Sequence, residues 1–304
     1  MNPIIKIMER SWEQTGKSDN ERLAKQSEPE SVEQINNIAY IKDGDNYHLL
    51  DMYYPKGTKK KLPVIIDIHG GGWMYGDKDL NKIYCLNLAK RGFVVFNISY
   101  RLYPNATVIE QLQDCALALR WISENLKDYP CDKNNIMLTG DSAGGQLSAY
   151  SAALLTDEKL RQVFNVVDGK IKLTALMLTS PVAFMKNGGL ISIYTKLMWG
   201  DNFKGKATYG YMDIDELLNT ACLPPTVLIT SSGDSLAREQ TRRLAALLEE
   251  KGTETKLMDF DKFFGVDLPH VFPVVEPESV AGSLAIDGGI NFFLSQIEKK
   301  KIKK

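Results

Sequence analysis

Histidine is scarce in this chain: its 304 residues contain three, His48, His69 and His270. Cysteine is nearly as sparse. Cys85, Cys115, Cys131 and Cys222 form no Cys-x-x-Cys pair and have no histidine at metal-ligand spacing. That argues against a zinc site or a disulfide scaffold and leaves four reduced, partly buried thiols. No charge sign predominates, with 37 Lys and Arg against 38 Asp and Glu. A net charge of −1 excludes a broadly basic surface built for nucleic acid. Long apolar runs are missing too. Stretches such as Leu173 to Met185 fall short of the roughly 18 residues that a membrane span needs. Lys6, Glu9, Arg10 and Glu13 interrupt any secretory core near the N-terminus. The expectation is a cytoplasmic protein without stable membrane insertion. Lys59-Lys60-Lys61 and the tail from Glu298 to Lys304 read as solvated ends.

What is present is a rhythm of strands and helices. Residues 1–36 are polar with scattered apolar positions and read as one or two amphipathic helices. Asn37 to Asp43 and Tyr47 to Tyr54 are short β-rich runs around Asp43-Gly44-Asp45-Asn46, a hairpin signal. Continuous apolar runs of strand length follow at Pro63–His69, Phe93–Tyr100, Asn135–Gly140, Leu173–Ser180, Thr226–Ser232 and Thr255–Phe260. Runs apolar on both faces suit a parallel sheet covered on both sides. Helical spacing over Ile109–Leu126, Ala143–Leu155, Leu236–Lys251 and Ser279–Ile297 completes the alternation. This predicts a single α/β domain over 1–304, with a mostly parallel, doubly wound sheet and an antiparallel start.

The segment Phe184 to Leu223 is too long and irregular for a plain crossover and reads as a lid or binding loop. Trp73, Tyr75, Tyr194, Trp199 and Tyr209 suit pocket walls and core equally well.

Two glycine motifs carry chemistry. Gly140-Asp141-Ser142-Ala143-Gly144 lies between a strand and an Ala-rich helix, the setting of a nucleophile elbow. Ser142 then stands clear of the sheet at a helix N-terminus, where the dipole favours developing negative charge. His69-Gly70-Gly71-Gly72-Trp73 follows another strand and can present backbone N–H groups to a substrate. Gly71 and Gly72, with Ala143 after the nucleophile, are the candidate oxyanion donors. No Gly-x-x-x-x-Gly-Lys-[Ser/Thr] phosphate loop occurs.

A serine nucleophile needs a base, and on this topology the order is serine, acid, histidine. Only His270 follows Ser142, so it is the base by elimination. His48 reads as a structural residue in an early strand, and His69 as a support for its own loop. The acid should close the preceding strand, where Thr226–Ser232 leads through Gly233 to Asp234. Glu239, Asp259 and Asp261 are its rivals, one on the next helix and two beside the histidine loop. Asp234 would orient the imidazole and stabilise its charged form.

Together HGGGW, GDSAGG, a late Gly-Asp and a His-x-Phe resemble the hormone-sensitive-lipase-like branch of α/β-hydrolase esterases. Tyr100-Arg101-Leu102-Tyr103-Pro104 is similar to a further element of that family, and Asp114 to an acidic position in its next helix. The likeness runs from about residue 45 to 298. It implies an α/β-hydrolase fold and hydrolysis of small or short-acyl carboxylic esters without metal or cofactor. It also implies a small helical cap, expected here from 1–36 and 184–223. Two departures stand out. Ser235-Leu236 replaces the Pro-Leu that usually follows the acid, and Asn105 stands where glutamate is frequent. The expected partner is a small-molecule ester. The same triad would serve an aryl formamide or a peptide or amide bond, a homologue that had lost catalysis would be a ligand-binding module, and a homodimer is compatible with everything above.

Overall fold

The computed structural model describes residues 3–186, 198–200 and 202–302. Tyr194 lies outside them.

The apolar runs become eight strands of one sheet: β1 (Val32–Ala39), β2 (Leu49–Pro55), β3 (Leu62–Ile68), β4 (Val94–Ile98), β5 (Cys131–Asp141), β6 (Ala175–Thr179), β7 (Thr226–Ser231) and β8 (Thr255–Phe260). Their order is β1-β2-β4-β3-β5-β6-β7-β8. β2 runs antiparallel to both neighbours, and every other pairing is parallel. The sheet is therefore parallel with an antiparallel start, as the alternation predicts.

Alternate residues of the buried strands feed two separate cores. Val64, Ile66 and Ile68 pack on one face with Leu112 and Leu119 of α3 (Val108–Asn125) and Leu147 of α4 (Ser142–Thr156). Ile65 packs on the other with Leu86 of α2 (Lys82–Lys90) and Phe293 of the long C-terminal helix Val280–Ile302. α3 begins with a capping box, in which Thr107 accepts from the Glu110 N–H and the Glu110 carboxylate accepts from the Thr107 N–H. α2 gives no amphipathic signal because every residue from Ile83 to Ala89 is buried.

The structure departs from the sequence reading in several places. Helix α1 spans Pro3–Leu23, but residues 32–36 belong to β1 and not to a helix. Asn37, expected to open the first strand, interrupts it instead. It adopts a left-handed φ of 58° where the β1–β2 register shifts, and its N–H donates to Asp51 Oδ1 at 2.7 Å. Asparagine tolerates that conformation, which makes it a suitable bulge residue. The turn at 43–46 is not a tight hairpin turn, since Asp45 caps a short 3₁₀ turn over Asn46–His48. β8 is an edge strand and stays partly exposed, not covered on both faces. Arg238 and Arg242 both pair with Asp259 on it, a charged device that discourages edge-to-edge association.

In the described part of the 184–223 insert, Trp199 and its apolar neighbours pack inward, while residues 204–207 are exposed. Trp199 is fully buried and meets Phe164 and Tyr150 edge-on, with centroids 6.2 and 6.5 Å apart. Phe164, at the end of α5 (Glu158–Phe164), also touches Tyr211. Trp199 is thus a core residue. Truncating Phe164 to Ala should remove the centre of this cluster and cost about 3–5 kcal/mol. Urea unfolding followed by tryptophan fluorescence measures the loss; a cost below about 1 kcal/mol would show that the insert is not anchored there.

Candidate active site

The sheet ends its central strands side by side. β5 runs to Asp141 and α4 starts at Ser142, so the chain reverses from strand to helix across one residue. Ser142 pays for this with a left-handed φ of 51°. The helix lies so close to β3 that a Cβ on Gly144 would sit 2.0 Å from the Ile68 carbonyl. Only glycine fits there, which is the physical content of the elbow motif.

His270 and Asp234 converge on this serine from two other strand ends. His270 follows β8 in a loop that the Ser231 hydroxyl holds by donating to the Leu268 carbonyl at 2.7 Å. Asp234 follows β7, and its Oδ1 accepts from the N–H groups of Leu236 and Ala237 at 3.1 and 2.9 Å. His270 Nδ1 lies 2.9 Å from Asp234 Oδ1, and His270 Nε2 lies 2.9 Å from Ser142 Oγ. A carboxylate can only accept, so Nδ1 carries the proton and Nε2 is left to accept from the serine hydroxyl. Burial works to raise the Asp234 carboxyl, but its hydrogen bond to His270 and the histidine charge outweigh it and lower it. The rivals go elsewhere: Asp259 is taken by two arginines, Asp261 by Arg238 and Glu239 by Arg242.

The glycine loop faces the serine. Gly71 has φ of 101°, and the N–H groups of Met74 and Tyr75 both donate to its carbonyl, closing a tight turn. Gly71 and Gly72 line the cleft with Ser142 and His270. Ala143 lies in the first turn of α4, where an N–H has no acceptor within the helix.

His69 is fully buried, and its Nδ1 donates to the Gly70 carbonyl at 2.8 Å. Its ring stacks on Tyr100 at 4.4 Å, and the Tyr100 hydroxyl donates to the His69 carbonyl. Burial pushes its pKa down to about 4, so the ring is a neutral prop. Trp73 closes the loop by donating from Nε1 to Gln146 Oε1, while its carbonyl accepts from Gln111 Nε2 and the Tyr103 N–H. Asp114 accepts from the backbone N–H and the guanidinium of Arg101. His48 lies in the 3₁₀ turn ahead of β2, buried between Asp43 and Asp114.

The cleft above Ser142 encloses about 430 Å³, within the range of small-ligand sites. α1 forms one wall with Met8, Trp12 and Thr15. Trp12 stacks on Tyr75 at 5.3 Å, and the Tyr75 hydroxyl donates to Asp19. Arg22 pairs with Asp19 and, like Gln26, donates to the Val275 carbonyl, which ties the helix down. Among the described residues, none of 198–223 lines this cleft. Trp73 and Tyr75 are therefore wall residues, unlike Trp199. No group of metal-ligating side chains occurs among the described residues.

Sequence reasoning missed three buried polar residues beneath the glycine loop: Asp67, Asn81 and Asp141. Asp141 lay inside the elbow motif, but nothing in the sequence pairs it with the other two. Burial, then the Asp141 charge, pushes Asp67 up to about 8. Asp141 is also raised by burial, against hydrogen bonds from Asn81 and Gly70.

The chain is similar in sequence and fold to known proteins. The BD-FAE family model matches residues 50–184. The versiconal hemiacetal acetate esterase of Dothistroma septosporum is 27% identical over 271 residues, covering 84% of this chain and 80% of that protein. The probable isoprenylcysteine alpha-carbonyl methylesterase ICME of Oryza sativa subsp. japonica is 26% identical, and the match covers 70% of this chain. The chain spans about half of that relative, 53% of its length. Among solved structures, esterase B of Lactobacillus rhamnosis, inhibited with a tributyrin phosphonate, superposes with a TM-score of 0.93. It is 28% identical, and the match covers 99% of this chain and 97% of that one.

The raised Asp67 carboxyl has a consequence for stability. The folded state keeps a proton that the unfolded chain releases near pH 4. Its contribution is complete below that point and is lost as pH climbs toward about 8, at up to about 1.4 kcal/mol per pH unit. Asp67→Asn should therefore flatten the fall in stability between about pH 5 and 8. Urea unfolding across that range checks it, and parallel curves for the two proteins would refute it.

Proposed function

We propose that this chain, an α/β-hydrolase of the hormone-sensitive-lipase-like carboxylesterase branch, cleaves small or short-acyl carboxylic esters through an acyl-enzyme on Ser142. The observation that carries the reading is the unbroken hydrogen-bonded series Asp234–His270–Ser142 on the floor of a cleft beside a glycine turn. His270 Nε2 takes the hydroxyl proton as Ser142 Oγ bonds to the ester carbonyl carbon. The carbonyl oxygen becomes negative and is met by the N–H groups of Gly71, Gly72 and Ala143. Asp234 stabilises the imidazolium formed in this step. Collapse of the intermediate breaks the ester bond, and the same proton passes to the departing alcohol. Water then attacks the acyl-enzyme, with His270 taking its proton, and the acid leaves with Ser142 restored.

The walls support a neutral, compact substrate. Trp12, Tyr75 and Met8 are apolar or aromatic, and Arg22 is engaged by Asp19, Gln26 and a backbone carbonyl. We read α1 as the cap of a single hydrolase domain. The phosphonate on esterase B, named for tributyrin, supports a short acyl chain by analogy.

Ser142→Ala should abolish labelling by a fluorophosphonate and lower ester hydrolysis by at least about 10³-fold. Wild-type protein that hydrolyses esters but takes no label would overturn the mechanism. Across a series of p-nitrophenyl esters, kcat/KM should peak at butyrate or hexanoate and fall by about tenfold or more at laurate. A panel including aryl formamides and aminoacyl amides tests the bond cleaved; faster turnover of either would replace the ester reading.

A further inference from the structure

Asn81 has no role in the steps above, yet it is buried at the centre of the site's floor, with 1% of its surface exposed. It ends the 3₁₀ turn Lys78–Asn81, just ahead of α2. Its side-chain Nδ2 donates to Asp67 Oδ2 at 2.9 Å and to Asp141 Oδ1 at 2.8 Å. Asp67 is the penultimate residue of β3 and Asp141 the last of β5, so one amide joins the ends of the two central strands. Asp141 Oδ1 also accepts the N–H of Gly70 at 3.0 Å. The fit at that point is close, since a Cβ on Gly70 would lie 2.4 Å from Asp141 Oδ2. Through that hydrogen bond, a shift of the carboxylate is passed to the root of the glycine loop.

We propose that Asn81 is a positioning residue for the oxyanion loop: it orients Asp141, Asp141 holds the Gly70 N–H, and that bond aims the Gly71 and Gly72 donors. The idea rests on the acyl-transfer reading of Ser142. The chemistry selects an amide at this place. Two buried carboxyl groups need a donor between them, and a neutral NH₂ supplies two protons without adding charge. A third acid could donate only while protonated, and an apolar side chain would leave both carboxyls without their shared donor. Tyr84 and Cys85 of α2 and His270 are the other titratable groups facing the cluster. Asn81 and Asp141 both line the cleft, so a shift in either reaches the substrate's surroundings directly.

The test measures kcat per fluorophosphonate-labelled site, KM and thermal melting for Asn81→Ala and Asn81→Asp, with Ser142→Ala alongside. Asn81→Ala should lose about 10- to 100-fold in kcat with KM changed by less than about threefold, because misaimed donors are felt mainly in the transition state. Asn81→Asp, of the same shape, should lose progressively more kcat relative to wild type as pH rises from about 6 to 9, as its added carboxyl gives up its proton. A merely structural residue would lower melting and the number of labelled sites but leave kcat per site and its pH profile unchanged. That result overturns the proposal. Should Asn81→Ala not fold, the pH profile of Asn81→Asp decides. If Ser142→Ala keeps its activity, the acyl-transfer reading fails instead, independently of Asn81.

Discussion

The left-handed turn at Ser142 is the constraint around which the rest of the site is arranged. A non-glycine residue in that conformation stores about 1 kcal/mol or more of strain, and its surroundings must hold it there. α4 does so by pressing Gly144 onto the carbonyls of Ile68 and His69, and the Val182 N–H fixes the Ser142 carbonyl. Because α4 lies against β3, the loop leaving β3 has to turn away sharply. Gly70 to Gly72 make that turn, and they bring the Gly71 and Gly72 backbone to the serine's side of the cleft. One backbone angle therefore links Ser142, the glycine loop and the packing of the two central strands.

Buried charge is handled in two opposite ways within a short distance. Asp234 sits among donors, two backbone N–H groups and His270, so that it is held in its ionised form despite burial. Asp67 and Asp141 share the Asn81 amide, Asp141 also accepts from the Gly70 N–H, and burial raises both carboxyls. The same residue type is thus shifted in opposite directions, lowered beside the histidine and raised under the loop. His270 makes the difference: its hydrogen bond and charge outweigh burial at Asp234, whereas burial prevails at Asp67 and Asp141.

Much of this was legible in the chain. The β8 boundaries and the long helices follow from apolar runs and periodicity, and the relation of Ser142 to His270 follows from motif order and the scarcity of histidine. Asp234 could be singled out because a strand of this sheet delivers its last residues to the ligand side. Other features carried no local signal. α2 is buried all round and has no polar face to betray its period. β8 reads as apolar, yet an edge strand is exposed by its place in the order. Trp73 and Trp199 look alike in sequence and are both buried in the core, yet only Trp73 also reaches the cleft wall.

The alternation of strand and helix, the elbow and the glycine loop can all be read along the chain, since each depends on neighbouring residues. Which polar side chains meet beneath that loop depends on the folded arrangement instead. Asp67, Asn81 and Asp141 come from the end of one strand, the start of a helix and the end of another strand. Their hydrogen bonds exist because parallel strands finish level with one another, an arrangement that no spacing along the chain records.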